Sequence, residues 1–170
     1  MNRRRLLLTF TGVALTPLAL YRLSTGAIAG HGRIEKIDKM EEEWREILTP
    51  TQFNILRREG TEPPGSSPLN DEKREGTYVC AGCELPLFRS EWKYDSGTGW
   101  PSFWTVMHDH IGTKEDRSWF TTRTEYHCAR CGGHQGHVFE DGPQPTGERW
   151  CNNGAALKFI PASISAGQMR

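Results

Sequence analysis

Apolar residues recur at helical spacing in one part of the chain, between residues 36 and 58. The first stretch predicts a helix through five apolar positions, Ile37, Met40, Trp44, Ile47 and Leu48. The dipeptide Thr49-Pro50 interrupts this pattern and is typical of a helix start, which predicts a second short helix from Thr51 to Arg58. The domain is therefore predicted to begin with two short helices.

From Gly76 onward the apolar residues form short runs instead, rich in aromatic and β-branched side chains. The runs are TYVC, LPLFRS, WPSFWTVM, SWFTTRTEYHC, HVFED and AALKFIP, and turn-forming residues separate them about every ten positions. Residues 60–76, GTEPPGSSPLNDEKREG, are rich in proline, glycine and charge, which predicts an irregular segment that wraps the domain. The whole pattern predicts an antiparallel, mostly β domain.

The N-terminus has the pattern of an export signal. Three arginines, Arg3 to Arg5, precede a mostly apolar run from Leu6 to Leu20, and Ala27-Ile28-Ala29 has the small-residue spacing that a signal peptidase reads. The run is shorter than the roughly twenty residues that a membrane-spanning helix needs. We therefore predict a signal over residues 1–29, a domain over residues 30–170 and a periplasmic location. Two alternatives stay open, an uncleaved anchor and a Sec signal in place of a twin-arginine signal.

Composition adds little to this organisation. The chain has 170 residues, enough for one domain with a core, and its 21 basic and 21 acidic residues give a net charge of zero. No overall electrostatic field therefore indicates a nucleic acid or an anionic membrane as partner. We expect a monomer without a nucleic-acid partner.

Four of the five cysteines form two Cys-x-x-Cys pairs, Cys80 with Cys83 and Cys128 with Cys131. Two such turns brought together by folding predict a tetrahedral zinc site with four thiolate ligands. Since the protein fills all four positions, the zinc is expected to be structural. Disulfides are the alternative in an exported protein, and iron is a second metal that four sulfurs can hold.

The fifth cysteine, Cys151, has no partner in these pairs. A buried, inert cysteine is the alternative to a reactive thiol, but the polar neighbours of Cys151 favour reactivity. Arg149 would lie on the same side of a strand, where its charge is expected to lower the pKa of the thiol. Four thiolates saturate the metal, so His134 and His137 stay available for acid or base chemistry.

Three segments carry a resemblance to a known family: LTPTQFNILRREGTEPP, SGTGWPSFW and RTEYHCARCGGHQGHVFEDGPQPTGERWCNNGAALKF. The sequence resembles the methionine-R-sulfoxide reductase B family over about residues 36–161. The resemblance implies two antiparallel sheets in a β-tent-like arrangement, with short N-terminal helices and a structural zinc. It also implies that Cys151 attacks the sulfur of a methionine-R-sulfoxide in an oxidised protein or peptide, which yields methionine and a cysteine sulfenic acid.

The resemblance further implies roles for the residues around this nucleophile. His134 and His137 would supply or relay the proton to the departing oxygen, and Asn153 and Arg149 would orient the groups around the sulfur. Trp100 matches the indole that receives the substrate methyl. Glu125 matches a family carboxylate near the active site, and a structural ion pair with Arg123 is the alternative. Phe103 and Trp104 are expected in the core, with a place in the substrate wall as the alternative. The histidines that match nothing are predicted at the surface, namely His108, His110 and His127.

Thr98 marks a departure from the family, many members of which have a resolving cysteine at this position. Thr98 cannot form a disulfide, and the four other cysteines are assigned to zinc. We therefore predict a one-cysteine enzyme whose Cys151 sulfenic acid is reduced by an external thiol. The reductant expected is a thioredoxin-like protein, glutaredoxin with glutathione, or a periplasmic relay. A zinc-knuckle binding module and a sulfenic-acid redox sensor are the two other function classes that the residues allow.

Overall fold

The computed structural model describes residues 34–117 and 122–163. The predicted signal over residues 1–29 lies outside these residues. Within the described part of the chain, no helix combines the length and the apolar character that crossing a membrane requires.

Two short helices open the described chain, α1 at Glu41–Ile47 and α2 at Pro50–Arg58. Thr49 caps α2, because its hydroxyl accepts a hydrogen bond from the Gln52 amide while the Gln52 side chain accepts one from the Thr49 amide. The prediction of two helices is confirmed. The predicted apolar face was wrong at two positions, Met40 and Ile47, which are 68% and 56% exposed, because α1 begins only after Met40 and has two turns.

The rest of the described chain forms two antiparallel sheets, as the resemblance implied. The smaller sheet has the order β2-β1-β9 and the larger the order β3-β4-β8-β7-β6-β5. The strands are β1 Gly76–Cys80, β2 Pro86–Arg89, β3 Lys93–Tyr94, β4 Ser102–Phe103, β5 Ile111–Asp116, β6 Arg123–Cys128, β7 His134–Phe139, β8 Arg149–Asn152 and β9 Leu157–Pro161. A short 3-10 turn at Pro68–Asn70 lies between α2 and β1, and three others lie between strands, at Ser90–Trp92, His108–His110 and Gly154–Ala156.

Aromatic side chains from both sheets form the core. The rings of Phe88 and Phe103 stack with centroids 4.0 Å apart, and Tyr78 meets Phe103 edge-on at 5.0 Å. The core position predicted for Phe103 is confirmed, since it is fully buried, whereas Trp104 is only half-buried. Among the three histidines predicted at the surface, His108 is exposed.

The two other histidines of that group are half-buried, so a surface position was wrong for them. The Nδ1 atom of His110 lies 2.7 Å from the carbonyl oxygen of Pro86. His127 pairs across β6 and β5 with Gly112, where a Cβ atom would lie 2.5 Å from the imidazole Nε2. Each ring is covered by a neighbouring strand, which the local sequence does not reveal.

A bulge interrupts the pairing of β6 and β7. Tyr126 pairs with Gly136 and His127 pairs with His134, so Gln135 is an additional residue on β7. Side chains of a regular strand alternate between faces, which would place His134 and His137 on opposite sides. The additional residue restores them to one side, and their rings lie with centroids 5.5 Å apart.

Candidate active site

A cavity of about 240 Å³ opens where β4, β8 and β7 lie side by side. Ser102 pairs with Cys151, which in turn pairs with His137. The cavity contains five of the seven predicted catalytic and substrate-binding residues, Cys151 included. Its lining consists of Thr61, Thr98, Trp100, Arg123, Gly136, His137, Phe139, Arg149, Cys151, Asn152 and Asn153.

Cys151 is partly buried in this cavity, with Arg149 two residues before it on β8. Both side chains line the cavity, so the predicted placement on one side of the strand is confirmed. Burial raises the pKa of the Cys151 thiol, and the Arg149 charge and the Thr98 hydroxyl lower it by less. The predicted effect of the Arg149 charge is therefore confirmed in direction, but the loss of solvation outweighs it and the pKa is raised overall.

The Arg149 guanidinium also forms an ion pair with the carboxylate of Asp141. Its Nε and Nη2 donate to the two carboxylate oxygens of Asp141 at 2.8 and 2.9 Å. The central carbon of the guanidinium lies 4.3 Å from the centre of the Phe139 ring, a cation–π contact. This bidentate pair fixes the guanidinium in the wall of the cavity. Asp141 was missed by the sequence reasoning, and its position eight residues before Arg149 gives no local signal for the contact.

His137 faces the cavity, and its Nε2 lies 2.8 Å from a carboxylate oxygen of Asp116. Burial lowers the pKa of the His137 imidazole below its ordinary value, although the Asp116 carboxylate opposes this shift. Burial therefore favours the neutral form of the His137 imidazole. Asp116 is a second acid that the sequence reasoning missed, because it is contributed by β5, on the far side of β6.

His134 and Glu125 do not line the cavity but lie in the layer behind His137. Both are almost fully buried, and His134 Nδ1 lies 2.9 Å from a Glu125 carboxylate oxygen. Burial raises the pKa of the Glu125 carboxyl, but His134 and the Lys114 ammonium, 2.9 Å away, outweigh it and lower that pKa overall. The alternative of an ion pair for Glu125 is realised with Lys114, whereas Arg123 pairs with Asp116.

Trp100 and Asn153 are held by the segment of residues 60–75, called here the wrapping segment. The indole N–H of Trp100 donates to the Glu62 carbonyl oxygen at 3.1 Å. The Asn153 side-chain oxygen accepts from the Glu62 amide at 3.1 Å, and its side-chain nitrogen donates to the Gln135 carbonyl oxygen at 3.0 Å. Both the oxygen and the nitrogen of the Asn153 side chain are therefore hydrogen-bonded to the backbone.

Thr98 belongs to a short chain of hydroxyl groups. Its oxygen lies 2.8 Å from the Ser96 hydroxyl, which lies 2.7 Å from the hydroxyl of Ser102. Ser102 is the residue that pairs with Cys151 across β4 and β8. The position at which many family members have a resolving cysteine thus carries a hydroxyl that faces the same cavity as the thiol.

The four paired cysteines form a separate cluster, in which one sulfur from each residue lies within 4.8 Å of the others. The Sγ atoms of Cys80 and Cys131 are 3.7 Å apart and those of Cys83 and Cys128 are 3.4 Å apart. A zinc ion with bonds of about 2.3 Å to four sulfurs requires edges of roughly 3.8 Å, close to these distances. A disulfide requires about 2.05 Å. The donor set and its geometry therefore fit the predicted structural zinc.

One buried side chain connects this zinc-binding cluster to the strand that carries the histidines. The side-chain nitrogen of Gln135 donates to the sulfur of Cys80 at 3.4 Å. The backbone carbonyl oxygen of Gln135 accepts a hydrogen bond from the backbone N–H of Asn153 at 2.9 Å. A hydrogen bond to a ligating sulfur is a common way to orient a metal ligand. Gln135 was not among the predicted residues, and only the bulge explains its inward position.

Comparison with known proteins identifies the family. The model described as the SelR domain matches residues 48–161, about two thirds of the chain. Three similar relatives are named peptide methionine sulfoxide reductase MsrB. The protein from Methanosarcina barkeri is 52% identical over 124 residues, covering 72% of this chain and 87% of the relative. Those from Hahella chejuensis and Pseudomonas putida are 49% and 52% identical, covering 79% and 75% of this chain and 98% and 97% of the relatives. The chain therefore belongs to the MsrB family.

Proposed function

We propose that this protein reduces methionine-R-sulfoxide in oxidised proteins and peptides to methionine. The observation that carries the proposal is the cavity that combines a thiol at Cys151, an imidazole at His137 and an indole at Trp100. A sulfoxide has an electrophilic sulfur, a basic oxygen and an apolar methyl group. The three side chains offer a nucleophile, a proton carrier and an apolar surface for these three parts. Membership of the MsrB family supports the same conclusion.

The reaction begins when the Cys151 sulfur attacks the sulfoxide sulfur. The oxygen passes to Cys151, the bond between the substrate sulfur and oxygen breaks, and methionine leaves as the reduced product. The thiol proton is carried to the oxygen, so the enzyme is left as a sulfenic acid. His137 relays this proton at the cavity wall. His134 and Glu125 support it from the buried layer behind, where the Glu125 carboxylate contacts His134 and forms an ion pair with Lys114.

The sulfenic acid is then reduced by a thiol from another molecule. The first thiol forms a mixed disulfide with Cys151 and releases water, and a second thiol displaces Cys151 as the free thiol. Thr98 cannot replace the first thiol, and the remaining cysteines are zinc ligands. The reductant proposed is a thioredoxin-like protein, glutaredoxin with glutathione, or a periplasmic relay.

Export to the periplasm is proposed on the sequence of residues 1–29 alone. The arginines, the apolar run and the small residues before Gly30 support it. A monomeric state and the absence of a nucleic-acid partner are proposed on the neutral net charge and the single predicted domain.

Turnover with separated epimers tests the activity. The zinc-loaded protein with dithiothreitol is expected to reduce a peptide containing methionine-R-sulfoxide through many turnovers and to leave the S epimer untouched. Cys151→Ser is expected to lose this activity, because the hydroxyl is a far weaker nucleophile than the thiolate. Equal rates on both epimers, or full activity of Cys151→Ser, would contradict the proposal.

A further inference from the structure

Glu62 in the wrapping segment is buried although it carries a carboxylate, with 7% of its surface exposed. The carboxylate accepts hydrogen bonds from the backbone N–H groups of Gly154 at 2.5 Å and Ala155 at 2.9 Å. The Glu62 amide donates to the side-chain oxygen of Asn153 at 3.1 Å. These contacts compensate the burial of the charge, since each oxygen has a donor. Glu62 therefore fixes the three residues that follow the nucleophile strand β8.

The same residue fixes the opposite wall of the cavity. The carbonyl oxygen of Glu62 accepts the indole N–H of Trp100 at 3.1 Å. Three residues further along the wrapping segment, the Gly65 amide donates to the Gly99 carbonyl oxygen at 2.7 Å. The backbone and the side chain of one residue thus connect the aromatic wall to the loop after Cys151.

Close packing at Gly154 leaves this connection little freedom. A Cβ atom on Gly154 would lie 1.9 Å from the Ser67 hydroxyl oxygen and 3.2 Å from a Glu62 carboxylate oxygen. The wrapping segment therefore presses directly on the backbone that follows β8. A change in the position of Glu62 is expected to move both walls of the cavity, because Glu62 is hydrogen-bonded to Trp100 on one side and to Asn153, Gly154 and Ala155 on the other.

The geometry points to Glu62 as a positioning residue that sets the separation between the Trp100 indole and the Cys151 sulfur. This inference rests on the proposed function and deepens it. A chiral sulfoxide places its methyl group and its oxygen in opposite order in the two epimers. An enzyme distinguishes them only if the apolar wall and the nucleophile keep a fixed separation. Glu62 would therefore determine epimer selectivity without touching the substrate.

Glu62→Gln in the zinc-loaded full chain tests the inference. The amide keeps the shape and one acceptor oxygen, but it directs an NH2 group at a backbone N–H and so releases the loop at Gly154 or Ala155. We expect kcat/KM for the R epimer to fall about tenfold to a hundredfold, and the ratio of R to S kcat/KM to fall with it. The midpoint of Cys151 alkylation is expected at lower pH, because a released loop admits water.

Two control variants separate positioning from simple loss of stability. Glu43→Gln makes the same chemical change far from the cavity, at a carboxylate that accepts a hydrogen bond from the Met40 backbone N–H at 2.7 Å. It is expected to leave kcat/KM for the R epimer and the ratio of R to S kcat/KM unchanged. Ile55→Val removes one methylene from a core residue that is 1% exposed, and it is expected to lower stability while keeping the epimer ratio.

The outcomes distinguish the inference from the function on which it rests. A wild-type protein that fails to reduce the R epimer refutes the function, and the alkylation midpoint of Glu62→Gln still decides whether Glu62 controls the cavity. An active wild type together with an unchanged epimer ratio and an unchanged alkylation midpoint in Glu62→Gln overturns the inference. If Glu62→Gln does not fold, Glu62→Asp is measured in the same way. Its shorter side chain keeps the charge but cannot reach both backbone N–H groups.

Discussion

Gly136→Ala is expected to disable the active site while leaving most of the fold intact. Gly136 lies on β7 beside the nucleophile strand, and a Cβ atom there would be 1.9 Å from the Cys151 carbonyl oxygen and 3.2 Å from the Asn152 Cα. All of the nearest atoms belong to the backbone, so no side chain can turn away. Real Cβ atoms are essentially never closer than 3.0 Å to such atoms. The two strands must therefore separate by about 1 Å at Cys151.

The size of the effect follows from this displacement. Overpacking of this kind costs about 1 to 3 kcal/mol of unfolding free energy, and a misplacement of about 1 Å at a reacting group costs on the order of a hundredfold in rate. Urea unfolding and kcat/KM for the R epimer measure the two quantities. Gly82→Ala is the matched control, because the nearest atoms to its Cβ would lie at 3.6 Å, an ordinary contact. Equal activity and stability of Gly136→Ala and Gly82→Ala would refute the reasoning.

Three further predictions concern Cys151 and the zinc cluster. Because burial raises its pKa, alkylation of Cys151 by iodoacetamide is expected to rise with pH through a midpoint above about 8.5, and a midpoint near pH 6 would contradict it. Thr98→Val is expected to move that midpoint higher, since it removes a hydroxyl that lowers the pKa, and Thr98→Ser is expected to leave it in place. Cys83→Ser is expected to reduce bound zinc and lower the melting temperature; a variant that melts like wild type would contradict a structural zinc site.

The elements and the zinc ligands could be predicted from sequence because each rests on a local pattern. A Cys-x-x-Cys turn brings its two sulfurs together wherever it occurs, and two such turns in one domain leave few other arrangements. The capping box at Thr49 is equally local, since it needs only Gln52 three residues later. Elimination isolated Cys151 once the other cysteines were assigned, and the resemblance to the family implied its role as the nucleophile.

The partners that tune the site could not be predicted, because they come from distant strands. Asp116 reaches His137 from β5. Glu62 accepts a hydrogen bond from Gly154, in the loop after Cys151, although the two residues are 92 positions apart in sequence. The bulge at Gln135 is a further example. A spacing of three residues places two side chains on opposite faces of a regular strand, so the approach of His134 and His137 depends on an additional residue that the pattern does not reveal.

The desolvation of Cys151 could not be predicted for the same reason, and it changes the description of the resting enzyme. A single basic residue two positions away is visible in the sequence, whereas the desolvation that outweighs it is produced by the whole cavity. Burial also lowers the pKa of His137. A raised thiol pKa next to a lowered imidazole pKa favours a neutral pair over a thiolate and an imidazolium. In the proposed reaction, we therefore expect the thiol proton to leave Cys151 as the sulfoxide oxygen receives one. The resting thiol is then expected to react less readily with adventitious oxidants than a thiolate would.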